Sequence, residues 1–449
     1  MTTAGSKARA LPPDLIRGLL RAAWIVERAR TNVYERWAGE ATRFRAWAER
    51  TSERSAIIAE ELAARNGEPD HSFVAPHTRW MESVTGATPT EVPLAEMLLV
   101  RFGDWVQAHT VHFLAGSVER FRALGEMEHS SVVWPSQLAP ASPFEPVKTP
   151  RVEAPGSARL RIGILGDLHI GSPGSEELVG AAVHDLNASG AQLVIQLGDV
   201  ADHGERTEME AARNLLSGLD MPWEVIIGNH DVYSVSADRL SGSGDFTEVF
   251  GRSPRGRVIE HAGWRMLLLD SAANMPSPFA PFNLLTGSFA EGRGGAIAQG
   301  AISVEQHDLL ADVADPDAGP AFIFLHHPPQ PFTAFPPLIF GLDERDSGRL
   351  HAVTDSGNIW GVFAGHTHRN ARLHAFSDAP VQEVSAPRDY PFGYALLDVG
   401  DDGYTFRFLQ ISDRALLQRA YEGAGAAQRR YSVGRPEERA WSWRRSSLP

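Results

Sequence analysis

Seven side chains of metal-binding type stand directly after short apolar runs in one half of this 449-residue chain. They are carboxylates, imidazoles and one amide, in the order Asp167, His169, Asp199, Asn229, His326, His366 and His368. Oxygen and imidazole ligands without thiolate suit cations such as Mn, Fe or Zn. A carboxylate that is shared between two cations holds them close together, so the set predicts a binuclear metal centre.

The apolar runs that precede these side chains have the composition of buried parallel strands. Each is short, rich in β-branched residues and bounded by Gly or a polar turn. The runs are 161–165, 193–197, 223–227, 321–325 and 359–364. Because open α/β folds keep their sites at the carboxyl ends of parallel strands, we expect the seven side chains to meet at one edge of a sheet.

A simpler interpretation exists for each of these residues alone. A single His after an apolar run is more often a packed structural residue than a ligand, and Gly-Asp or Gly-Asn is ordinary turn chemistry. Five strand-end clusters in one order favour the metal site. In addition, Asp167 and His169, like His366 and His368, are two residues apart and therefore share one face of their strand ends.

The order of these clusters resembles that of the calcineurin-like metallophosphoesterase superfamily, over residues 158–410. The motifs that carry the resemblance are Asp167-x-His169, Gly198-Asp199-x-x-Asp202-x-Gly204, Gly228-Asn229-His230-Asp231, His326-His327-Pro328-Pro329 and Gly365-His366-x-His368. In motif form the region is most similar to the bacterial cyclic nucleotide and glycerophosphodiester phosphodiesterases. The resemblance implies an α/β fold class, with a four-layer αββα sandwich of two packed sheets flanked by helices.

The resemblance also implies how the ligands are shared between two cations. One cation would be held by Asp167, His169 and His368, the other by Asn229, His326 and His366, with Asp199 bridging them.

Four further residues of the motifs receive other expected roles. His230 resembles the histidine that faces the substrate, where it donates to a phosphoryl oxygen or protonates the leaving group, with Asp231 as its support. These two are the predicted catalytic residues. Asp202 is expected to orient a neighbouring ligand or backbone group, and His327 to pack beside the site rather than to bind metal.

The expected activity is the hydrolysis of a phosphodiester or a phosphomonoester by in-line attack of a metal-bridging hydroxide. Two cations about 3.5 to 4 Å apart lower the pKa of a shared water and neutralise the phosphoryl oxygens. The alternative is a non-catalytic scaffold on the same fold. Such scaffolds usually lack ligands, whereas this chain retains the full set.

Composition limits the choice of partners. The chain has 42 basic and 56 acidic residues and a net charge of -14, which argues against a general duplex-DNA binder. A small phosphorylated substrate is expected instead. No Cys is present, which excludes disulfides and fits a cytoplasmic location. No apolar run reaches the roughly 20 residues that span a bilayer, so no membrane partner is expected. The oligomeric state stays open, with a homo-oligomer among the options.

The first part of the chain has a different texture. Residues 1–134 are predicted to be an all-α domain, because apolar residues recur at helical intervals in two Ala- and Arg-rich blocks. A Pro-rich linker is predicted at 135–157, the catalytic domain at 158–410, and a tail rich in Arg and Trp at 411–449.

A second metal centre in the helical domain is an open hypothesis. Glu126-x-x-His129 has the spacing used by di-iron, ferritin-like bundles, and earlier helices carry Glu27, Glu35, Glu60 and Glu61. Such bundles need two Glu-x-x-His repeats on helices. The other match, Glu68 to His71, is predicted to lie in a loop. A helical module for interaction or substrate covering is therefore favoured.

Several features of the second half have two interpretations each. The loop 271–302 is predicted as a lid or a surface excursion. Phe332 to Phe340 could form an apolar wall beside the site. Arg388 suits recognition of an anionic substituent, although such an arginine is more often a surface ion pair. The tail is predicted to fold back as a helix with a loose end, rather than to stack on nucleic acid. A hairpin is predicted around 400–403.

Overall fold

The computed structural model describes the following residues: 13–38, 43–69, 71, 74, 78, 144, 146–154, 156–232, 243–272, 300–315, 317, 319–329, 341–342, 344–355, 358–373, 379–423, 429 and 432–445. Two units are separable by their internal contacts. In the part of the chain just given, the first is a pair of helices before residue 79 and the second contains all the strands.

Six strands of the second unit form the first sheet, in the order β12-β11-β10-β1-β2-β3. Their bounds are β1 Leu160–Leu165, β2 Leu193–Gln196, β3 Trp223–Val225, β10 Gly393–Gly400, β11 Gly403–Gln410 and β12 Ala440–Arg444. Strands β1, β2 and β3 are parallel, and β10 is antiparallel to β1. The predicted hairpin is confirmed, because β10 and β11 pair up to the bridge between Gly400 and Gly403.

A second six-stranded sheet has the order β4-β5-β6-β7-β9-β8. Its strands are β4 Arg257–His261, β5 Trp264–Leu268, β6 Ala321–Leu325, β7 Ile359–Ala364, β8 Ala371–Leu373 and β9 Val381–Glu383. The four inner strands are parallel, with antiparallel strands at both edges. All residues of β6 and β7 are buried, as their uninterrupted apolar sequences predict.

The two sheets pack face to face. Ile162 and Ile195 of the first sheet share one apolar cluster with Phe322, Phe324 and Phe363 of the second. A second cluster lies on the other face of the second sheet, where Leu310 and Leu350 of two helices pack on its strands. On the first sheet, the helix Ser175–Ala188 packs so closely that a Cβ on Gly163 would lie 2.6 Å from Cδ2 of Leu186. The expected αββα sandwich is therefore confirmed.

Helices lie between the strands, and those that join parallel neighbouring strands are crossover connections. The helices are α3 Ser175–Ala188, α4 Arg206–Leu216, α5 Ser243–Phe250, α6 Gln306–Ala314, α7 Glu344–Thr354, α8 Arg414–Gly423 and α9 Pro436–Arg439. A single 3-10 turn, His230–Val232, follows β3. None of the helices that the structure describes is both long and apolar enough to cross a membrane.

The end of the chain differs from the expected helix with a loose end. Helix α8 is present, but β12 pairs with β11 and extends the first sheet. Ala440 and Trp441 are buried, and the indole nitrogen of Trp441 donates to Gln382 Oε1 at 2.8 Å. The physical reason is the alternation of apolar and polar residues in Ala440–Arg444, which suits a half-buried strand.

In the first unit, helices α1 Pro13–Ala38 and α2 Arg43–Ala63 pack against each other. The Thr31 and Thr51 hydroxyls are buried and lie 2.9 Å apart across the pair. His71 packs its ring edge-on against Trp24, with centroids 4.7 Å apart. Glu126 and His129 lie outside the described residues, as do 273–299 and 330–340, so the di-iron, lid and apolar-wall hypotheses stay predictions.

Candidate metal centre

The seven predicted ligands lie where both sheets present the carboxyl ends of parallel strands. Strands β1, β2 and β3 lead to Asp167, His169, Asp199 and Asn229, and β6 and β7 lead to His326, His366 and His368. Asp167, His169, Asp199 and His368 have ligand atoms within 4.8 Å of one another, and so have His326, His327 and His366. The strand-end pattern thus predicted residues that the fold brings together.

The imidazoles of His169 and His368 face each other. Their Nε2 atoms are 2.9 Å apart. On the opposite side of each ring, Nδ1 of His169 lies 2.8 Å from Asp202 Oδ1, and Nδ1 of His368 lies 2.5 Å from Asp389 Oδ2. Because a carboxylate accepts, each Nδ1 donates to its carboxylate, which leaves the Nε2 atoms of the two rings turned towards each other. This arrangement fits a cation between the two rings.

A second close contact between proposed ligands joins His326 and Asn229. The Nδ1 of His326 donates to the Leu197 carbonyl at 2.8 Å, which leaves its Nε2 2.8 Å from Asn229 Oδ1. Asp199 Oδ2 lies between the two groups, 3.3 Å from Nε2 of His326 and 3.5 Å from Nε2 of His169. Its position suits the expected bridging role. The Oδ2 atom of Asp167 is buried and has no hydrogen-bond partner in the described part of the chain.

Without cations, protons compensate some of the negative charge. Burial acts to lower the pKa of His326, but the carboxylates of Asp199 and Asp167 raise it to about 9. Burial and the nearby Asp199 charge raise the pKa of Asp167 to about 6, against the opposing effect of His326. Since metal ligands must be deprotonated, the binding of cations is expected to release protons here.

Four of the predicted ligands have left-handed backbone conformations that L residues rarely adopt. The φ angles are 46° at His169, 52° at Asp199, 68° at His366 and 53° at His368. Strained backbone of this kind concentrates at functional sites. The turn after β3 needs a glycine for a different reason: a Cβ at Gly228 would lie 2.2 Å from the backbone N of Asp199.

His230, the predicted substrate-facing histidine, lies beside His169. Its ring meets that of His169 edge-on, with centroids 4.5 Å apart, and its Nδ1 donates to the Asp202 carbonyl at 2.7 Å. Burial lowers the pKa of His230 to about 3. The metal-free ring is therefore neutral and its Nε2 is an acceptor. The proton-donor role of His230 stays a prediction that requires a change of protonation.

Asp231, which the sequence suggested as a support of His230, also joins two backbone turns. Its Oδ1 accepts from the backbone N–H of Ala201 at 3.0 Å, and its Oδ2 from that of Gly228 at 2.8 Å. The side chain is fully buried. Because both oxygens are engaged with backbone, the carboxylate joins the turns after β2 and β3. These contacts indicate a brace for the turns that carry Asp199 and Asn229, and the support of His230 stays a prediction.

His327 lies next to the ligands, as expected of a packing residue. Its backbone N–H donates to Ser271 Oγ at 3.2 Å, and its Nδ1 lies 2.8 Å from the same oxygen. Gly300 packs flat on the ring, since a Cβ there would lie 2.4 Å from Cγ of His327. Asp202 also matches its expected role, because it orients His169.

Two carboxylates that position the site were missed by sequence reasoning. Asp389 orients His368, as described above. Glu383 accepts from the Thr367 hydroxyl at 2.6 Å and from two nitrogens of Arg369 at 2.6 and 3.0 Å, so it holds the residues that flank His368. Asp389 follows no apolar run, and Glu383 ends a strand of only 3 residues. The available signal was an acid enclosed by Pro387 and Pro391 near the last motif.

The part of the chain that carries these residues is similar to known proteins. Residues 160–370 match the family model described as calcineurin-like phosphoesterase. A probable cyclic nucleotide phosphodiesterase of Synechococcus sp. is 25% identical over 237 residues, which cover 50% of this chain and 78% of that protein. Among solved structures, a dimetal phosphatase from Danio rerio is 18% identical with a TM-score of 0.43, over 56% of this chain and 96% of that one. Phosphopantetheinyl hydrolase from Mycobacterium tuberculosis is 14% identical with a TM-score of 0.33, over 52% and 92%.

Proposed function

We propose that the domain whose residues 160–370 match the calcineurin-like phosphoesterase family is a binuclear metal-dependent hydrolase of a phosphodiester or a phosphomonoester. The family match supports a hydrolase that acts on phosphoric esters. The two-cation mechanism and the assignment of ligands are our proposal, and they rest on the arrangement of the side chains.

One observation carries the proposal: acceptor atoms face acceptor atoms at hydrogen-bond distance. The Nε2 atoms of His169 and His368 are 2.9 Å apart, and the Nδ1 atom of each ring faces a carboxylate that accepts its proton. Two lone pairs in a buried position repel each other unless a proton or a cation lies between them. Nitrogen and oxygen donors of this kind suit Mn, Fe or Zn.

The chain's own residues account for the two cation positions. Asp167, His169 and His368 would hold one cation, and Asn229, His326 and His366 the other, with Asp199 shared. When bound, the cations would supply an activated water nucleophile and neutralise the phosphoryl oxygens.

The surrounding side chains orient these ligands. Asp202 and Asp389 fix the tautomer and direction of His169 and His368, so that both rings present Nε2. Asp231 holds the two turns that carry Asp199 and Asn229. His230 lies next to His169, where it can meet a substrate oxygen.

We further propose a small phosphorylated substrate and a cytoplasmic location. The net charge of -14 is unsuited to a nucleic-acid surface, whereas bound cations would supply positive charge locally. The absence of Cys agrees with a reducing compartment.

The test combines metal analysis with the hydrolysis of bis(p-nitrophenyl) phosphate and p-nitrophenyl phosphate. Asp199→Ala and Asn229→Ala are compared with Asn187→Ala, whose side chain bonds Gly218 and Asp220 on the outside of the first sheet. We expect about two metals per chain and turnover in the wild type and in Asn187→Ala, with turnover lost in the other two. Bound metal without turnover on either ester would favour the scaffold alternative.

A further inference from the structure

We propose that Arg388 binds a second anionic group of the substrate, a phosphate or a carboxylate that lies one group away from the scissile phosphoryl group. This proposal rests on the proposed function for the position of the scissile group.

Arg388 lies at the border of the metal centre. Its neighbour in the chain, Asp389, orients His368. Its own Nη1 lies 3.5 Å from Asp202 Oδ1, the same oxygen that accepts from His169. The guanidinium is therefore separated from His169, a proposed ligand, by about two hydrogen-bond lengths. Arg388 also precedes Asp389, the residue that orients His368.

The guanidinium has donors to spare. The contact with Asp202 is a single ion pair at 3.5 Å, and none of the five N–H groups makes a hydrogen bond to a residue that the structure describes. Arg369, also close to the last His pair, is different, because two of its nitrogens bond Glu383 at 2.6 and 3.0 Å. Arg369 thus stabilises the turn beside His368, whereas the planar guanidinium of Arg388 is available for an anion.

The exposure of the side chains indicates from which side a substrate arrives. Asp167 and His326 are fully buried, whereas 12% of the His368 side chain is exposed. The values rise to 21% at Asp202 and 27% at Arg388. The accessible side of the centre is therefore the side on which Arg388 stands.

The backbone of Arg388 is fixed even though its guanidinium is loosely held. Asp389 donates its N–H to the Ala386 carbonyl at 3.1 Å, and the Asp389 carbonyl accepts from Phe392 at 2.6 Å. The adjoining residues Pro387 and Asp389 are buried. Because the backbone is already fixed, the binding of an anion has to order only the side chain of Arg388.

The position of the Arg388 guanidinium also indicates which anionic group of the substrate it binds. Asp202 meets His169 at Nδ1, on the far side of the ring from the Nε2 that faces the proposed cation. A whole imidazole ring therefore separates the cation from the carboxylate that Arg388 contacts. A phosphoryl oxygen on the cation would lie nearer to the ligands than to this guanidinium. The next anionic group of the same substrate matches the distance better, and the bidentate fork suits phosphate or carboxylate alike.

The experiment measures binding to metal-loaded protein by calorimetry, with three probes. Methylphosphonate carries one anionic group, phosphonoacetate adds a carboxylate, and pyrophosphate adds a second phosphate. Arg388→Gln is compared with the wild type and with Arg419→Gln, which removes the same charge from an exposed ion pair with Glu177. Metal content is measured for every protein before and after each titration, because the two larger probes can chelate cations.

We expect Arg388→Gln to lose about tenfold to a hundredfold in affinity for phosphonoacetate, for pyrophosphate or for both, with methylphosphonate and metal content unchanged. Loss for one larger probe alone would identify the anion as carboxylate or phosphate. Equal losses for all three probes, or no loss for either larger probe, would overturn the proposal. So would a wild type that binds the larger probes no better than methylphosphonate. Because binding is read without turnover, a failure of the hydrolase proposal would be seen separately, as absent ester cleavage by a protein that still binds the probes.

Discussion

Asp202 accepts a hydrogen bond from His169 on the side of the imidazole that faces away from His368. The distance of 2.8 Å and the burial of the His169 ring make this contact the anchor of one proposed ligand. Although burial acts to raise it, the hydrogen bond from His169 and the charge of Arg388 hold the pKa of Asp202 well below its usual range.

We therefore expect Asp202→Asn to weaken metal binding by about tenfold to a hundredfold, because the amide removes the charge that orients the ring. Titration of metal-free protein with Mn or Zn measures this. Asp185→Asn is the control, since that carboxylate bonds Ser412 at 2.6 and 2.7 Å and touches no proposed ligand. Equal metal affinities in the two variants would contradict an orienting role.

Gly228 is the second position where a small change has a large expected effect. A Cβ there would lie 2.2 Å from both the backbone N and the Oδ1 of Asp199, so Gly228→Ala must displace the proposed bridging ligand. We expect metal content to fall below one ion per chain, measured by elemental analysis of the purified variant.

The matched control for Gly228 is Gly348→Ala in α7. No atom lies within 4 Å of a Cβ at Gly348, which is exposed on a helix. This change should stabilise the protein by about 0.5 to 1 kcal/mol and leave the metal content intact. A normal metal content in Gly228→Ala would show that the turn tolerates the displacement.

Asp231 provides a test of the brace between two turns. Asp231→Ala leaves the N–H groups of Ala201 and Gly228 buried without their acceptor, at a cost of about 1 to 3 kcal/mol for each. The urea midpoint of metal-free protein should fall accordingly, whereas Asp220→Ala on the exposed surface should leave it unchanged. An unaltered midpoint with lost turnover would instead return Asp231 to the role first expected from the sequence.

His203 gives an expected pH dependence of stability. Burial acts to lower its pKa, but the hydrogen bond with Glu208 at 2.7 Å raises it above the usual 6.5. Because the folded state binds the proton more tightly than the unfolded state, this contribution is complete below pH 6.5 and is lost as the pH rises through the folded-state pKa. The stability difference between wild type and His203→Gln should therefore be larger at pH 5.5 to 6 than at about pH 9. A difference that does not change with pH would mean that folding leaves the pKa of His203 unshifted.

The sequence predicted best those features that depend on residues close together in the chain. Asp167, Asp199 and His326 each come directly after a buried strand, and strand ends converge by the geometry of the sheets. The hairpin around Gly400 and Gly403 was readable for the same reason, since a turn is specified by neighbouring residues.

The contacts that orient the ligands could not be read in the same way. Asp389 meets His368 across 21 residues, and Glu383 meets Thr367 across 16, with no periodic pattern to pair them. The role of Asp231 depends on two backbone N–H groups, which every non-proline residue carries. Strand β12 was missed for another reason. Its Arg and Trp residues were interpreted as possible binding groups, and the alternation of apolar and polar residues that predicts a strand was not considered.

The left-handed backbone at His169, Asp199, His366 and His368 lowers the stability of the protein at the positions that its proposed activity requires. Each such residue is disfavoured by roughly 1 to 2 kcal/mol relative to a residue without a side chain. A glycine at any one of them would relieve that strain and delete a proposed ligand in the same step. If variants of the metal-free protein were selected for thermal stability alone, glycine would therefore be favoured at these ligand positions. The selected variants are expected to be more stable and inactive.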